Sequence, residues 1–469
     1  MMTRRPLPAT TTLAADDGLR LRANGRVLFG GNPLRVLRLT EQGAVAVSRW
    51  FGGEAPDDSP GATALARRLV DAGMAHPQPT QEPVAEAASL TVVIPVKDDE
   101  QGLLATLAGL TDHGIDLVVV DDGSADDVSA LVADVAPDCT VVRRNTAGGP
   151  AQARQDGLAR VGSELVAFVD AGVEVRGDDL QRLLRWFADP EIVAAAPRVA
   201  SAPGIGDVAE YELASSPLDL GPTPSPVGPG RTVTYVPTAC LVARRADVVE
   251  VGGFDPTLRF GEDVDLVWRL GRRGAVRYDP SVVVHHRPRA TLSQLATQRF
   301  GYGTSAGPLA RRHGAELAPV QVSTWSAAVI VLALLGRFKV SAAVAVFTAV
   351  ALARKLDGVL PDHRVEAALL TARGHTWAAR SVADAATGAW WPLATAAALA
   401  GWHRPLRWAL LWRLWQRLSG GHGPIGRRLR HLGYGFVDDA AYGSGVWVGA
   451  WRSRAPRALL PRVVNWPDP

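Results

Sequence analysis

Three groups of carboxylates stand where apolar runs of the chain stop. Asp121-Asp122-Gly123-Ser124 follows Val118-Val119-Val120, Asp170-Ala171-Gly172 follows Val166-Ala167-Phe168-Val169, and Glu262-Asp263 stands between Phe260-Gly261 and Val264. A carboxylate accepts hydrogen bonds from a base or ribose, ligates a hard cation, or takes a proton from a hydroxyl. In open α/β sheets ligands settle in the crevice beyond the carboxyl ends of the strands, because the loops converge there. A nucleotide-sugar or nucleotide-phosphate site is the expectation.

Asp122 is placed to meet a base or ribose, while Asp121 either joins it or caps the next helix; both also suit plain N-cap positions. Pro95 and Lys97 end the neighbouring strand in Ile94-Pro95-Val96-Lys97 and complete a pocket floor. The turn Asn145-Thr146-Ala147-Gly148-Gly149-Pro150 leads into a helix that carries Arg154 toward the sheet edge, where a helix N-terminus and a guanidinium favour phosphate. A turn with no ligand is the alternative. Asp170 and His286 are the candidate ligands for Mg2+ or Mn2+, although His285 and His286 equally suit structural hydrogen bonds. A second carboxylate two residues after Asp170 would clamp a cation on diphosphate, but Gly172 occupies that position and Glu174 is the nearest acid. Glu262 and Asp263 open a helix, where acids also simply complement its dipole. As chemistry, Asp263 is the base for an acceptor hydroxyl, and Glu262 orients it or binds acceptor hydroxyls.

From Leu90 the chain alternates apolar strand and helix: Leu90 to Pro95, Gly102 to Leu110, Ile115 to Val120, Val128 to Val135, Thr140 to Arg143, Ala151 to Val161, Leu165 to Val169 and Asp179 to Phe187. That order predicts an α/β domain with a mostly parallel sheet and helices on both faces, its strands apolar throughout because both sides are covered. The Pro/Gly/Ser stretch from Ser216 to Gly230 predicts a long loop over the site.

Ahead of this domain lies a small α+β module. Asn24-Gly25 between short alternating runs predicts a hairpin, and Thr40 to Phe51 and Gly61 to Met74 carry helical spacing. The expected divisions are 1–80 for this module, 81–89 for a linker, 90–312 for the α/β domain and 313–469 for a hydrophobic helical region. Val320 to Gly336, Val340 to Ala353 and Ala385 to Gly401 are nearly free of charge, yet borderline or short for the roughly 20 residues of a spanning helix. Eleven of the fourteen tryptophans follow Thr324, several with arginines between them. That mixture suits a headgroup interface, and a buried hairpin of helices is the alternative.

The net charge of +3 and the lack of a basic block interleaved with aromatics argue against a nucleic-acid partner. Two cysteines exclude a disulfide framework and fit a reducing compartment, and the N-terminus lacks a secretory apolar core. The cytoplasmic face of the cell membrane is the expected location. Few, short apolar segments at one end disfavour a transporter.

Residues Leu90 to about Arg287 resemble the family-2 glycosyltransferases of GT-A fold. The resemblance rests on Val93-Ile94-Pro95-Val96, Asp121-Asp122-Gly123-Ser124, Gly148-Gly149-Pro150-Ala151 with Arg154, Asp170, Gly252-Gly253-Phe254-Asp255 and Glu262-Asp263. It implies inverting transfer from a nucleotide sugar, with Asp122 at the uracil or ribose, Asp170 near ribose and metal, and Asp263 as base. Gly172 departs from the pattern, since the family usually has its metal-binding Asp there. The flanks, Asn24 to Arg35 and Leu69 to Pro77, are similar to those of the glycosyltransferases of mycofactocin biosynthesis. That similarity implies a peptide-recognition module, with residues 18–78 meeting a carrier peptide or maturation proteins. It also implies growth of a short β-1,4-linked glucose chain, from UDP-glucose, on a peptide-derived redox cofactor precursor. Two other readings share the motifs: a membrane transferase acting on a lipid-linked or cell-wall glycan, and a catalytically silent nucleotide-sugar or peptide-binding protein.

Overall fold

A computed structural model describes residues 5–79, 90–360, 362–419 and 424–464. The expected linker at 81–89 lies outside the described residues. The chain forms two compact units, Met1–Gly204 with Glu212–Pro288, and Ile205–Tyr211 with Arg289–Pro469.

The first unit begins with β1 (Thr12–Ala15), β2 (Arg20–Arg22), β3 (Val27–Gly30), β4 (Arg35–Arg38), α1 (Glu41–Phe51), α2 (Pro60–Asp71) and β5 (Ala75–Gln78). The hairpin expected at Asn24-Gly25 joins β2 to β3, and β4 extends that antiparallel sheet. The Thr40 and Ser59 side chains cap α1 and α2 by accepting from Gly43 N and Ala62 N, which fixes where each helix starts. The helices bury Val47, Trp50, Leu69 and Val70 against Leu28 and Met74. Arg67 donates to both oxygens of Asp189, Nη1 to Oδ2 at 2.9 Å and Nη2 to Oδ1 at 3.0 Å, so a buried fork joins this module to the α/β part of the same unit.

That part comprises β6 (Leu90–Val96), α3 (Glu100–Leu107), β7 (Asp116–Asp121), α4 (Ser129–Val135), β8 (Thr140–Arg143), α5 (Pro150–Leu158), β9 (Leu165–Val169), β10 (Val173–Glu174), α6 (Gly177–Leu184) and β11 (Ile192–Ser201). After α7 (Asp207–Ser215), which straddles the two units, come β12 (Ser225–Pro226), β13 (Cys240–Arg244), α8 (Arg245–Glu250), α9 (Glu262–Leu270) and β14 (Ala275–His286). The sheet runs β10-β14-β11-β13-β9-β6-β7-β8, with β12 on β14. Strands β6, β7, β8 and β9 are mutually parallel, and β11 and β14 point the same way because each is related to β9 through the antiparallel β13. This is the GT-A-like, mostly parallel α/β architecture, and all six of those strands deliver their carboxyl ends to one edge. Val92, Ile94, Val119, Ala167 and Val242 form its enclosed core.

The proline-rich stretch expected as a loop is mostly irregular, and the two-residue β12 anchors it along β14. Ser225 and Pro226 pair with Tyr278 and Arg277, and Arg198 grips Asp219 through Nε and Nη2. Asn32 Nδ2 of the small module donates to Ser225 Oγ at 3.0 Å, a partner that the loop's composition gave no means of reading.

The second unit is helical: α10 (Leu292–Thr304), α11 (Ala306–His313), α12 (Thr324–Leu334), α13 (Phe338–Leu356), α14 (His363–Thr387), α15 (Trp391–Leu399), α16 (Arg404–Ser419) and α17 (Ile425–Arg452). Strands β15 (Gln321–Ser323) and β16 (Arg462–Val464) pair in parallel. The first apolar run of the sequence is thus split, its start spent on β15. Among the described residues no helix is long and apolar enough to cross a membrane. Helices α10 and α11 meet α17 backbone to backbone. A Cβ on Gly303 would collide with Tyr442 O, on Gly307 with Gly449 O, on Gly445 with Phe300 O, and on Gly449 with Thr304 O.

Candidate active site

The carboxylates converge through α5. Its N-terminus sits on Asp122, whose Oδ1 accepts from Gly148 N at 2.8 Å and Oδ2 from Gly149 N at 2.7 Å. One turn further, Arg154 bridges the other acids: Nη2 donates to Asp170 Oδ1 at 2.5 Å and Nη1 to Glu262 Oε1 at 2.9 Å. Gln155 accepts from Phe254 N at 2.9 Å, which ties the Gly252-Gly253-Phe254-Asp255 loop to the same helix. Arg269 of α9 holds that loop from the other side through Val251 O and Gly253 O.

Local structure explains each position. β9 ends at Val169, and Asp170 N donates to Ala239 O at 3.0 Å, so the side chain leaves the sheet at its carboxyl edge. Gly261 has φ of 78°, a left-handed conformation natural to glycine, and it sharpens the entry to α9 so that Glu262 and Asp263 open the helix. Asp263 Oδ1 accepts from Val264 N at 2.7 Å.

The electrostatics separate the two acids of α9. Burial first, then the neighbouring Glu262 charge, push the Asp263 carboxyl up to about 7, against the opposing pull of the Val264 N–H and the Arg154 guanidinium. Glu262 is buried but salt-bridged to Arg154. A half-buried carboxyl with affinity for a proton near neutrality, beside a second acid paired with an arginine, is an arrangement that suits general-base chemistry.

Several expectations change here. Asp121, carried as a donor ligand, is wholly enclosed; it accepts from Ser124 N at 2.8 Å and from Arg143 Nη1 at 3.0 Å, so it builds the turn. Arg154, expected at phosphate, is 3 % exposed and committed to two carboxylates, and its Nε has no partner. Asp122 is also buried, with Arg144 Nε 2.9 Å from Oδ1 in addition to the two backbone donors. Pro95 is half-buried and Lys97 is exposed, immediately past β6.

The divalent-metal expectation also meets a different arrangement. Asp170 is paired with Arg154, position 172 is a glycine with φ of 88°, and His286 lies opposite Val173 in the β10–β14 pairing. Among the described residues no group of three His, Cys, Asp or Glu side chains could hold a metal ion. As arranged, these residues do not supply the oxygen-rich shell that Mg2+ or Mn2+ requires. Sequence reasoning also missed Arg143, Arg144, Asp99 and Arg287. Arg143-Arg144 at the end of β8 was the readable signal, since basic residues at a neighbouring strand end face the carboxylates of β7.

Residues 91–248 match Glycosyl transferase family 2. The chain belongs to this family and is a glycosyltransferase. It is 37 % identical over 483 residues to the pre-mycofactocin glycosyltransferase of Mycobacterium tuberculosis (strain CDC 1551 / Oshkosh), covering 98 % of this chain and 100 % of the relative. The same values hold for that of strain ATCC 25618 / H37Rv. Among solved structures, a Pyrobaculum calidifontis mannosyltransferase in complex with GDP-Man and Mn2+ is 18 % identical, covers 52 % of this chain and 70 % of its own, and has a TM-score of 0.38. Staphylococcus aureus TarS 1–349 in complex with UDP-GlcNAc is 17 % identical, covers 46 % and 66 %, and has a TM-score of 0.36.

Proposed function

We propose that the protein transfers glucose from UDP-glucose, with inversion, to a hydroxyl of the peptide-derived mycofactocin precursor and extends it as a short β-1,4-glucan. Asp263 carries the reading: its proton affinity near neutrality fits the base that takes the acceptor's proton as the oxygen attacks the anomeric carbon. The bond from that carbon to the diphosphate breaks on the opposite face. The Val264 N–H fixes Asp263, Arg154 pairs with Glu262 beside it, and Asp170 faces the donor ribose. Asp122 shapes the glycine turn under the nucleotide. The acceptor assignment is supported by likeness to the two curated relatives along the whole chain. Mass spectrometry of the precursor after incubation with the full chain and several nucleotide sugars tests it; no hexose added from any donor removes the reading, and a lipid-linked glycan as the acceptor used would favour the rival.

The pH dependence follows from the same carboxyl. Transfer needs Asp263 ionised, so kcat/KM should rise with pH through about 7 and level off above. For stability the sign is opposite. With the folded value raised above the ordinary carboxylate value, this group's contribution is fully present in acid and is lost as pH rises through about 7. A flat rate profile between about pH 5.5 and 8.5 would exclude Asp263 as the base.

Two placements accompany the chemistry. The outer strands β2 and β4 leave sheet edges where a carrier peptide would add as a further strand; the precursor peptide failing to bind the full chain in calorimetry would remove this. The second unit is placed on the cytoplasmic face of the membrane, lying on the surface. Helices α12, α13, α15 and α16 contain no acidic residue, expose Phe347, Trp408, Leu411 and Trp415, and carry Lys339, Arg354, Lys355, Arg404 and Arg407. That combination suits an anionic headgroup layer. The chain should float with anionic vesicles and stay down with neutral ones, and failure to float would contradict the placement.

A further inference from the structure

Position 172 stands beside Asp170 at the edge where a diphosphate would depart, and the groups around it are unlike a cation site. A Cβ built on Gly172 would lie 3.5 Å from Asp99 Oδ2, in a backbone conformation that side chains rarely adopt. Gly172 O accepts from Arg287 N at 3.4 Å, because β14 runs antiparallel beside β10 and ends at His286. The Arg287 guanidinium reaches back across this turn, with Nη1 3.8 Å from Asp99 Oδ1, and both side chains are about half exposed at 51 % and 43 %. The carboxyl ends of β6, β9 and β14 therefore meet here around one half-exposed guanidinium, whose contact with Asp99 is long and solvent-screened.

A departing nucleoside diphosphate needs positive charge. One carboxylate that would hold a divalent ion is spent on Arg154, and the second is missing. A guanidinium supplies the charge directly: it is always protonated, and its planar fork matches two phosphate oxygens. We propose that Arg287 is the cation that binds the donor diphosphate and neutralises it as it leaves, and that transfer proceeds without a divalent metal. This rests on the nucleotide-sugar reading above. The bond between the anomeric carbon and the phosphate oxygen breaks with its electron pair on the diphosphate. The acceptor oxygen forms the new bond and gives its proton to Asp263. Arg287 only donates hydrogen bonds and keeps its protons, exchanging Asp99 for phosphate oxygens.

Two measurements on the full chain test this. In EDTA, turnover should stay within about twofold of that with added Mn2+ or Mg2+, and Arg287→Gln should lower kcat/KM by about 100-fold, with part recovered in Arg287→Lys. Binding of UDP and of uridine in EDTA needs no turnover: Arg287→Gln should weaken UDP about tenfold and leave uridine unchanged. Turnover that vanishes in EDTA and returns with metal overturns the inference while leaving the transferase reading intact. Equal UDP affinity in the wild type and Arg287→Gln also overturns it. If no condition gives turnover, the transferase reading fails and the UDP comparison still decides the role of Arg287.

Discussion

Asp263→Asn should lower turnover by about 10³-fold and leave donor affinity within a few-fold. The amide oxygen can still accept from Val264 N, as Asp263 Oδ1 does at 2.7 Å, so the start of α9 keeps its geometry. What disappears is the capacity to take a proton. Removing a shielded charge also relieves the repulsion from Glu262, so the variant should melt no lower than the wild type at pH 8, and higher if the carboxylate is strained there. Pre-steady-state product formation together with UDP titration separates the two effects. Wild-type turnover in the variant would require another base, and the nearby acids Glu262 and Asp170 both already face Arg154.

Arg154→Gln should be the most damaging single change. It leaves Asp170 and the buried Glu262 without their shared counter-ion, and breaking such a pair from one side costs about 3–5 kcal/mol. The phenyl face of Phe254, 5.6 Å from the guanidinium carbon, loses its cation as well. Arg154 also restrains the Asp263 carboxyl from rising further, so any residual activity should have its acid limb moved toward alkaline pH. Thermal melting reads the first effect and a pH–rate profile the second. Adding Glu262→Gln should restore part of the stability, since it removes one of the stranded charges. A variant with unchanged melting temperature and unchanged pH profile would show that the bridge does nothing for the site.

How much of this was readable depended on distance along the chain. β6, β7 and β9 announce themselves as unbroken apolar runs, and the acids at their ends were legible for the same reason: a charged residue directly after a buried run must sit at an edge. That Glu262 and Asp263 open a helix was legible from Gly261 ahead of them and the amphipathic run behind. Arg154 was found, but its partners Asp170 and Glu262 lie 16 and 108 residues away, and no local pattern encodes such a pairing. The two-residue strands β10 and β12 have no period to detect, and the reversed direction of β13 is set wholly by its neighbours. Arg287 was hidden because it becomes notable only when β14 is laid beside the Gly172 turn. In the second unit, Val320 to Gly336 reads as one apolar stretch, and only β16, far downstream, reveals that its start is a strand.

The contact of α10 and α11 with α17 has an evolutionary corollary. At residues 303, 307, 445 and 449 even one methyl group has no room, so none of these codons can drift without prising two helices apart. Distant descendants should keep those four bare positions as a hereditary fingerprint of the pairing.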